Sequence, residues 1–292
     1  MSRSVRDSGL PIIEARNLNY TYPGNSSPSL KDISFEIEEG EFVLLTGPSG
    51  CGKTTLCRCL NGLIPHFYGG TLRGELSVSG LKVAEHPIHE LALHVGLVFQ
   101  NPENQIFALS VEKDVAFGLE NLGMDRDEMK KRVDWALEIT GIKDLRDRAP
   151  HELSGGQQQR LAIAGVLAMQ PEILVMDEPT SFLDPLSAVR ILEIIKKLND
   201  EMGLTVILIE HRLDIISRYV DRVIILNEGS IALEGEPKEI FKSKYPELLG
   251  VGVPKVTKLF NMLKEEGLKI RGIPLTPDEA SKIMEEILID HR

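Results

Sequence analysis

Glu41-Phe42-Val43-Leu44-Leu45-Thr46 runs straight into Gly47-Pro48-Ser49-Gly50-Cys51-Gly52-Lys53-Thr54-Thr55. The first six residues read as a buried strand. The next nine satisfy G-x-x-x-x-G-K-[ST], and a helical pattern follows from residue 53, which is the strand-to-helix context the motif requires. Glycines at 47, 50 and 52 let the backbone curl so that successive N–H groups, with those of Ser49 and Cys51, point at a phosphate. The helix N-terminus adds positive potential. Lys53 reaches the β and γ oxygens, and the hydroxyl of Thr54 suits Mg²⁺. A turn that bound nothing would have no use for Lys53 and Thr54.

Outward from this loop the chain alternates strand and helix. VGLVFQ (95–100), EILVMDEP (172–179) and LTVILIEH (204–211) read as buried strands of the parallel type. Ile191, Leu192, Ile194, Ile195 and Leu198 mark a helix between the last two. This is an α/β sheet covered on both faces. Gly40 marks a tight turn between two strands. DRVIILNEG and SIALEGEP read as a hairpin around Asn227, Glu228 and Gly229. Residues 104–170 read as mostly helical. The core spans 11–245, and 246–292 form a helical extension. There Val256, Leu259, Phe260 and Leu263 share one face, and Thr276-Pro277-Asp278-Glu279 is a capping box ahead of Ile283, Met284, Ile287 and Leu288. Packing on its own core is the simpler use of that apolar stripe, a subunit interface the other.

Four apolar residues, Ile173 to Met176, end on Asp177 and Glu178. A carboxylate pair after a strand is often only a solvated loop, but beside a phosphate loop Asp177 can hold Mg²⁺ through water. Glu178, turned the other way by strand alternation, can polarise a water for in-line attack on a γ-phosphate.

The 292 residues are 42% hydrophobic and 26% charged, as in ordinary globular proteins. The formal charge of −11 disfavours nucleic acid as a partner. No apolar run reaches the roughly 18–20 residues needed to cross a bilayer, and MSRSVRDSGLP lacks the apolar core of a secretion signal. Cys51, Cys57 and Cys59 suit reduced packing thiols, with Cys57 and Cys59 on different helix faces. His86, His89 and His94 have a spacing open to metal but read as surface residues.

With these motifs in view, the chain resembles the ABC ATPase family. Leu153-Ser154-Gly155-Gly156-Gln157, followed by Gln158-Gln159-Arg160, looks like its signature motif. Gln100 looks like the Q-loop, Ser181-Phe182-Leu183-Asp184 the D-loop, and His211 the switch histidine, all in family order. The resemblance covers about residues 11–240. It implies a P-loop NTPase core of mixed sheet, with an antiparallel β subdomain, a helical signature subdomain and a small helical extension. It also implies ATP hydrolysis with Mg²⁺ in a head-to-tail dimer, each ATP held between Lys53's loop and the partner's Ser154, Gly155, Gly156 and Gln157. Glu178, His211 and Gln100 are then the catalytic set. Thr54, Asp177 and Gln100 serve the metal, Asp184 contacts the nucleotide site, and Tyr22 stacks on adenine, with Tyr20 the alternative. Phe182 departs from the small residue many members carry, which bears on communication between the two sites.

Gln100-Asn101-Pro102-Glu103-Asn104-Gln105-Ile106-Phe107, continuing through Val111 to Gly118, is similar to energy-coupling-factor ATPases, which serve vitamin and cobalt or nickel uptake. That branch implies a second ATPase subunit, identical or not, a transmembrane coupling protein docked beside the Q-loop, and a separate membrane component that captures the substrate. It also implies a place on the cytoplasmic face of the membrane. Glu103 lies where it could meet a basic coupling helix. The other reading is a soluble ABC ATPase of DNA repair or translation. Against it stand the missing coiled coil between Lys53 and Ser154 and the single cassette.

Overall fold

The computed structural model describes residues 10–290 except 269 and 271. The stretch MSRSVRDSG at the start, read above for a secretion signal, lies outside the described residues. Among the described residues ten strands build two sheets. The smaller, antiparallel throughout, comprises β1 (Ile13–Thr21), β2 (Leu30–Ile37), β4 (Thr71–Val78) and β5 (Leu81–Lys82) in the order β2-β1-β4-β5. The larger runs β10-β9-β3-β8-β7-β6. Its strands β3 (Phe42–Thr46), β6 (Val95–Val98), β7 (Ile173–Asp177), β8 (Thr205–Ile209) and β9 (Arg222–Asn227) are parallel, and β10 (Ser230–Gly235) returns antiparallel on β9.

Strand alternation explains the layers. In β3, Val43 and Leu45 enter a core shared with Ile13, Leu18 and Val78 of the small sheet, and Phe42 and Leu44 enter a second core with Ile191, Leu192 and Ile195. Every residue of β3, β7 and β8 is buried, as an unbroken apolar run in a doubly covered sheet requires. Each fully buried Leu or Val in them contributes about 1.5–3 kcal/mol.

In chain order the helices are α1 (Lys53–Leu60), α2 (Leu63–His66), α3 (Ile88–Leu91), α4 (Val111–Asn121), α5 (Arg126–Ile139), α6 (Gly155–Ala168), α7 (Pro185–Met202), α8 (Leu213–Ile216), α9 (Pro237–Phe241), α10 (Tyr245–Leu248), α11 (Lys255–Glu265) and α12 (Pro277–Asp290). Helix α1 belongs to the first core, so Cys57 and Cys59 are both buried although they sit on different helix faces. Burial pushes both thiols up, which keeps them protonated. Helices α4, α5 and α6 enclose a third core of Val115, Leu119, Val133, Leu137 and Leu161. Their starts are chemically specified: the side chains of Ser110, Asp125 and Ser154 accept from first-turn N–H groups.

The expected hairpin is β9–β10. Glu228 and Gly229, at φ 48° and 86°, make the left-handed turn that two-residue hairpins need. Gly40, at φ 79°, is also a turn, but it joins strands of different sheets rather than a paired hairpin.

Described residues of the extension pack on the rest of the chain. The backbone N–H of Lys255 donates to Asp214 at 2.6 Å, Asn261 Nδ2 to the Phe241 carbonyl at 3.2 Å, and Lys238 pairs with Glu279 at 2.9 Å. The face that α11 buries differs from the expectation. Thr257 and Phe260 are buried, whereas Leu259 is exposed, as is Leu288 of α12. The hydroxyl of Thr257 donates to the Pro274 carbonyl, so the returning chain covers that side of the helix and leaves Leu259 to solvent. The capping box forms in altered form: Glu279 N–H donates to the Thr276 hydroxyl at 3.2 Å, and the Glu279 carboxylate takes the N–H of Leu275 rather than of Thr276.

Candidate functional site

Four parallel strands of one sheet deliver the candidate residues to one place. The carboxyl end of β3 opens into the 47–52 loop, β6 leads to Gln100, β7 ends on Asp177, and β8 leads to Glu210 and His211. Ligands of open α/β sheets sit at this edge for that reason. The cavity there is lined by Ser49, Lys53, Thr54, Gln100, Glu178 and His211 among others.

The loop is cast by its neighbours. A side chain at Gly47 (φ 149°) would strike the carbonyl of Leu226 at 2.2 Å, and one at Gly52 (φ 111°) the carbonyl of Ser29 at 2.8 Å. Glycine is therefore required at both ends of the loop. The Gly229 N–H donates to the Cys51 carbonyl at 3.0 Å, tying the β9–β10 turn to it. Lys53, nearly buried, folds its ammonium back onto the carbonyls of Gly47 (2.8 Å) and Pro48 (2.9 Å). Cys51 is buried, and that burial raises its thiol even though Lys53 stands close by. Thr55 shares a hydrogen bond with the hydroxyl of Tyr22 at 3.2 Å.

Thr54 donates its hydroxyl to Asp177 at 2.7 Å. Burial pushes the Asp177 carboxyl up, with Thr54, Arg58 and Lys53 pulling the other way and Glu178 adding to the rise. Because the folded-state value is raised, folding gains from the protonated form and loses that gain as pH rises through it. At neutral pH the ionised group costs stability. Asp177→Asn, melted without nucleotide in EDTA at neutral pH, is expected to gain roughly 1–3 °C. A lower melting temperature would show that the carboxylate is stabilising instead.

Glu178 is where the structure corrects the sequence reading. Its direction comes from a left-handed backbone, φ 49°, and not from strand alternation. The N–H still donates to the Ile209 carbonyl at 3.0 Å while the side chain leaves the strand path. The carboxylate accepts from Gln100 Nε2 at 2.8 Å and meets His211 Nε2 at 3.2 Å. Three residues from three strand ends thus form one chain of contacts, and a carboxylate whose two oxygens are held by an amide and an imidazole can orient a water.

Tyr22 is half-buried, and its hydroxyl also accepts from Arg58 Nη1 at 3.2 Å. Arg58 lies 4.6 Å from the centroid of the Tyr68 ring. Tyr20 is fully buried, donates to the Gly69 carbonyl, and has its phenol pushed up to about 12, so no ligand reaches its face.

The signature residues are not brought to this cavity. Ser154 and Gln157 cap α6 reciprocally: the Gln157 side chain accepts from the Ser154 N–H at 2.9 Å, and the Ser154 hydroxyl takes the Gln157 N–H. Gly155 and Gly156 abut Phe182 and Leu183. Asp184 caps α7, taking the N–H groups of Leu186 and Ser187 at 3.0 Å each, and its bonds to Ser187 hold its carboxyl below the usual range. Of the histidines, His86 pairs with Glu90 and His94 with Glu172. Glu210, Thr180 and Arg212, which reading the sequence missed, stand behind His211. The available signal was a carboxylate and a guanidinium flanking the histidine after the apolar run Val206–Ile209.

Among the described residues no helix is long and apolar enough to cross a membrane. The family model for ABC transporters matches residues 30–181. A protein of Pyrococcus horikoshii, named as an ABC transporter ATP-binding protein, is 45% identical over 94% of this chain and 96% of its own. CbiO1 of Clostridium perfringens, described as part of the ABC transporter complex CbiONQ, superposes with a TM-score of 0.73 at 36% identity, covering 88% of this chain and all of that one. The ATP-binding cassette MJ0796, seen as a dimer after hydrolysis with ADP and Pi, gives 0.69 at 31% identity over 77% of this chain and 98% of its own. On this fold, these strand-end groups and these relatives, the chain belongs to the ABC transporter family as an ATP-binding, ATP-hydrolysing subunit.

Proposed function

We propose that this subunit drives an energy-coupling-factor importer for a vitamin or a transition-metal cation. It would work as a head-to-tail dimer on the cytoplasmic face of the membrane. ATP lies on the 47–55 loop with adenine against Tyr22, and Lys53 leaves its two carbonyls for the phosphates. Thr54 and Asp177 offer adjoining oxygens, with Gln100 close by. That set fits Mg²⁺, which would supply charge neutralisation of the phosphates. Glu178 orients the attacking water and takes its proton, and His211 contacts the γ-phosphate. Ser154, Gly155, Gly156 and Gln157 act on the partner's nucleotide, a role supported by their absence from this chain's own cavity.

The observation that carries the importer reading is a groove beside the Q-loop. Leu93, Phe107, Asp114, Phe117, Leu122 and Met169 are among its lining residues, and both phenylalanines are exposed, their ring centroids 4.4 Å apart. Adjacent exposed aromatic and aliphatic side chains suit an amphipathic helix of a membrane partner. The likeness to CbiO1 of the CbiONQ complex supports the same partner class. The test is to purify a tagged copy from detergent-solubilised membranes with nucleotide present and identify its stoichiometric companions by mass spectrometry. A polytopic coupling protein with a small capture subunit is expected. Recovery only with ribosomes or DNA proteins would overturn the importer and leave the ATPase standing.

A further inference from the structure

Glu210 is buried, one residue before His211, directly after the apolar run Val206–Ile209 of β8. A carboxylate is costly to bury, and the structure shows what holds it there. One oxygen accepts the hydroxyl of Thr180, and the other accepts the N–H groups of His211 (2.9 Å) and Arg212 (3.2 Å). Arg212 then reaches back. Its Nη1 donates to the carbonyls of Thr180 (3.2 Å) and Leu183 (3.4 Å). Thr180 is gripped at both its hydroxyl and its carbonyl, and Leu183 is the residue whose side chain lies against Gly156 of the signature.

We propose that Glu210, Thr180 and Arg212 form a buried clip that positions His211 against Glu178 and fixes the 180–184 loop to the same body. They are positioning residues that touch no reacting atom, and the proposal rests on the reading of Glu178 and His211 given above. The physical reason is the exposure of the parts being held. His211 sits at a turn with an exposed side chain, so its imidazole is placed by the backbone beneath it. Glu210 fixes that backbone by taking two consecutive N–H groups. Glu178, in its left-handed conformation, is two residues before Thr180, so the same clip spans both partners of the 3.2 Å contact. Misplacing a reacting group by an ångström costs about 100-fold in rate without weakening substrate binding.

The test is ATP hydrolysis by the full-length protein, in steady state and single turnover, for Glu210→Gln, Thr180→Val and Thr180→Ser, alone and in a His211→Ala background. Glu210→Gln and Thr180→Val are expected to lower kcat about 10- to 100-fold with KM for ATP within about threefold of wild type. Thr180→Ser, which keeps the hydroxyl, is expected to restore most of it. In the His211→Ala background each change should lower the rate by clearly less than it does alone. A kcat within twofold of wild type for both, an equal loss in Thr180→Ser, or a full further loss without His211 would each overturn the clip. Should Glu210→Gln fail to fold, the Val and Ser variants at 180 decide alone. Wild-type turnover in His211→Ala by itself would overturn both the clip and the site reading beneath it. A normal Glu210→Gln with a crippled His211→Ala would remove only the clip.

Discussion

Glu178→Gln is expected to bind ATP as tightly as wild type and to hydrolyse it about 100- to 10,000-fold more slowly, the range a positioned general base supplies. The substitution is close to isosteric. A glutamine at 178 can still accept from Gln100, so the 2.8 Å contact survives in kind. What is lost is the second acceptor oxygen, now an NH₂ facing His211, and the negative charge that draws a proton from water. The left-handed backbone at 178 is kept, since glutamine is strained there about as much as glutamate. Equilibrium binding of a fluorescent ATP analogue, set beside phosphate release in a single turnover, separates the two effects. If it works as the dimer proposed above, the variant should also collect as an ATP-bound dimer on size exclusion, because hydrolysis is blocked. Hydrolysis within a few-fold of wild type would remove Glu178 from this role.

Lys53→Ala carries the other large effect, and it falls on binding. In the nucleotide-free protein the ammonium is nearly buried and satisfied by the carbonyls of Gly47 and Pro48. Phosphate oxygens are better partners for it, because they carry full negative charge where the carbonyl oxygens carry only a partial one. Two such bonds at about 1.5–3 kcal/mol each place the loss of ATP affinity at about 100-fold or more. The fold is expected to survive, since the loop is also held by the Gly229 bond to Cys51 and by the close fit of Gly47 against Leu226. Leaving two carbonyls without their cation costs about 1–3 kcal/mol at most, to be read as a small fall in melting temperature. Unchanged affinity, measured calorimetrically, would undo the phosphate cradle.

Together these results would divide the site as its geometry divides it. Lys53 works on a loop between β3 and α1, and Glu178 on a backbone kink after β7. The strands β3 and β7 are separated in the sheet by β8, which brings His211 and, behind it, the Glu210 clip. A substitution in β8 therefore touches both halves, and one in either flanking strand touches its own.

The phosphate loop, the buried strands that frame it, the acidic end of β7 and the Thr276 cap were legible in the residues. Each depends on chemistry within a few positions: glycines where a left-handed turn is needed, alternation or unbroken apolar runs where a strand is covered, a hydroxyl three residues before an amide. The order of motifs made the family readable as well. Other features depend on residues far apart in the chain, and tertiary structure alone decided them. Glu178 points where a left-handed φ sends it, a turn its own neighbours do not dictate. Ser154 and Gly155 stand outside the cavity because the helical layer carries them to the 180–184 loop. The extension buries Thr257 and Phe260 and exposes Leu259, because the returning chain at Pro274 covers one side of a helix whose apolar residues allowed two. Glu210 is the sharpest case. As a letter it is one more glutamate, and only the meeting of two strand ends, thirty residues apart at Thr180, makes it a buried clip.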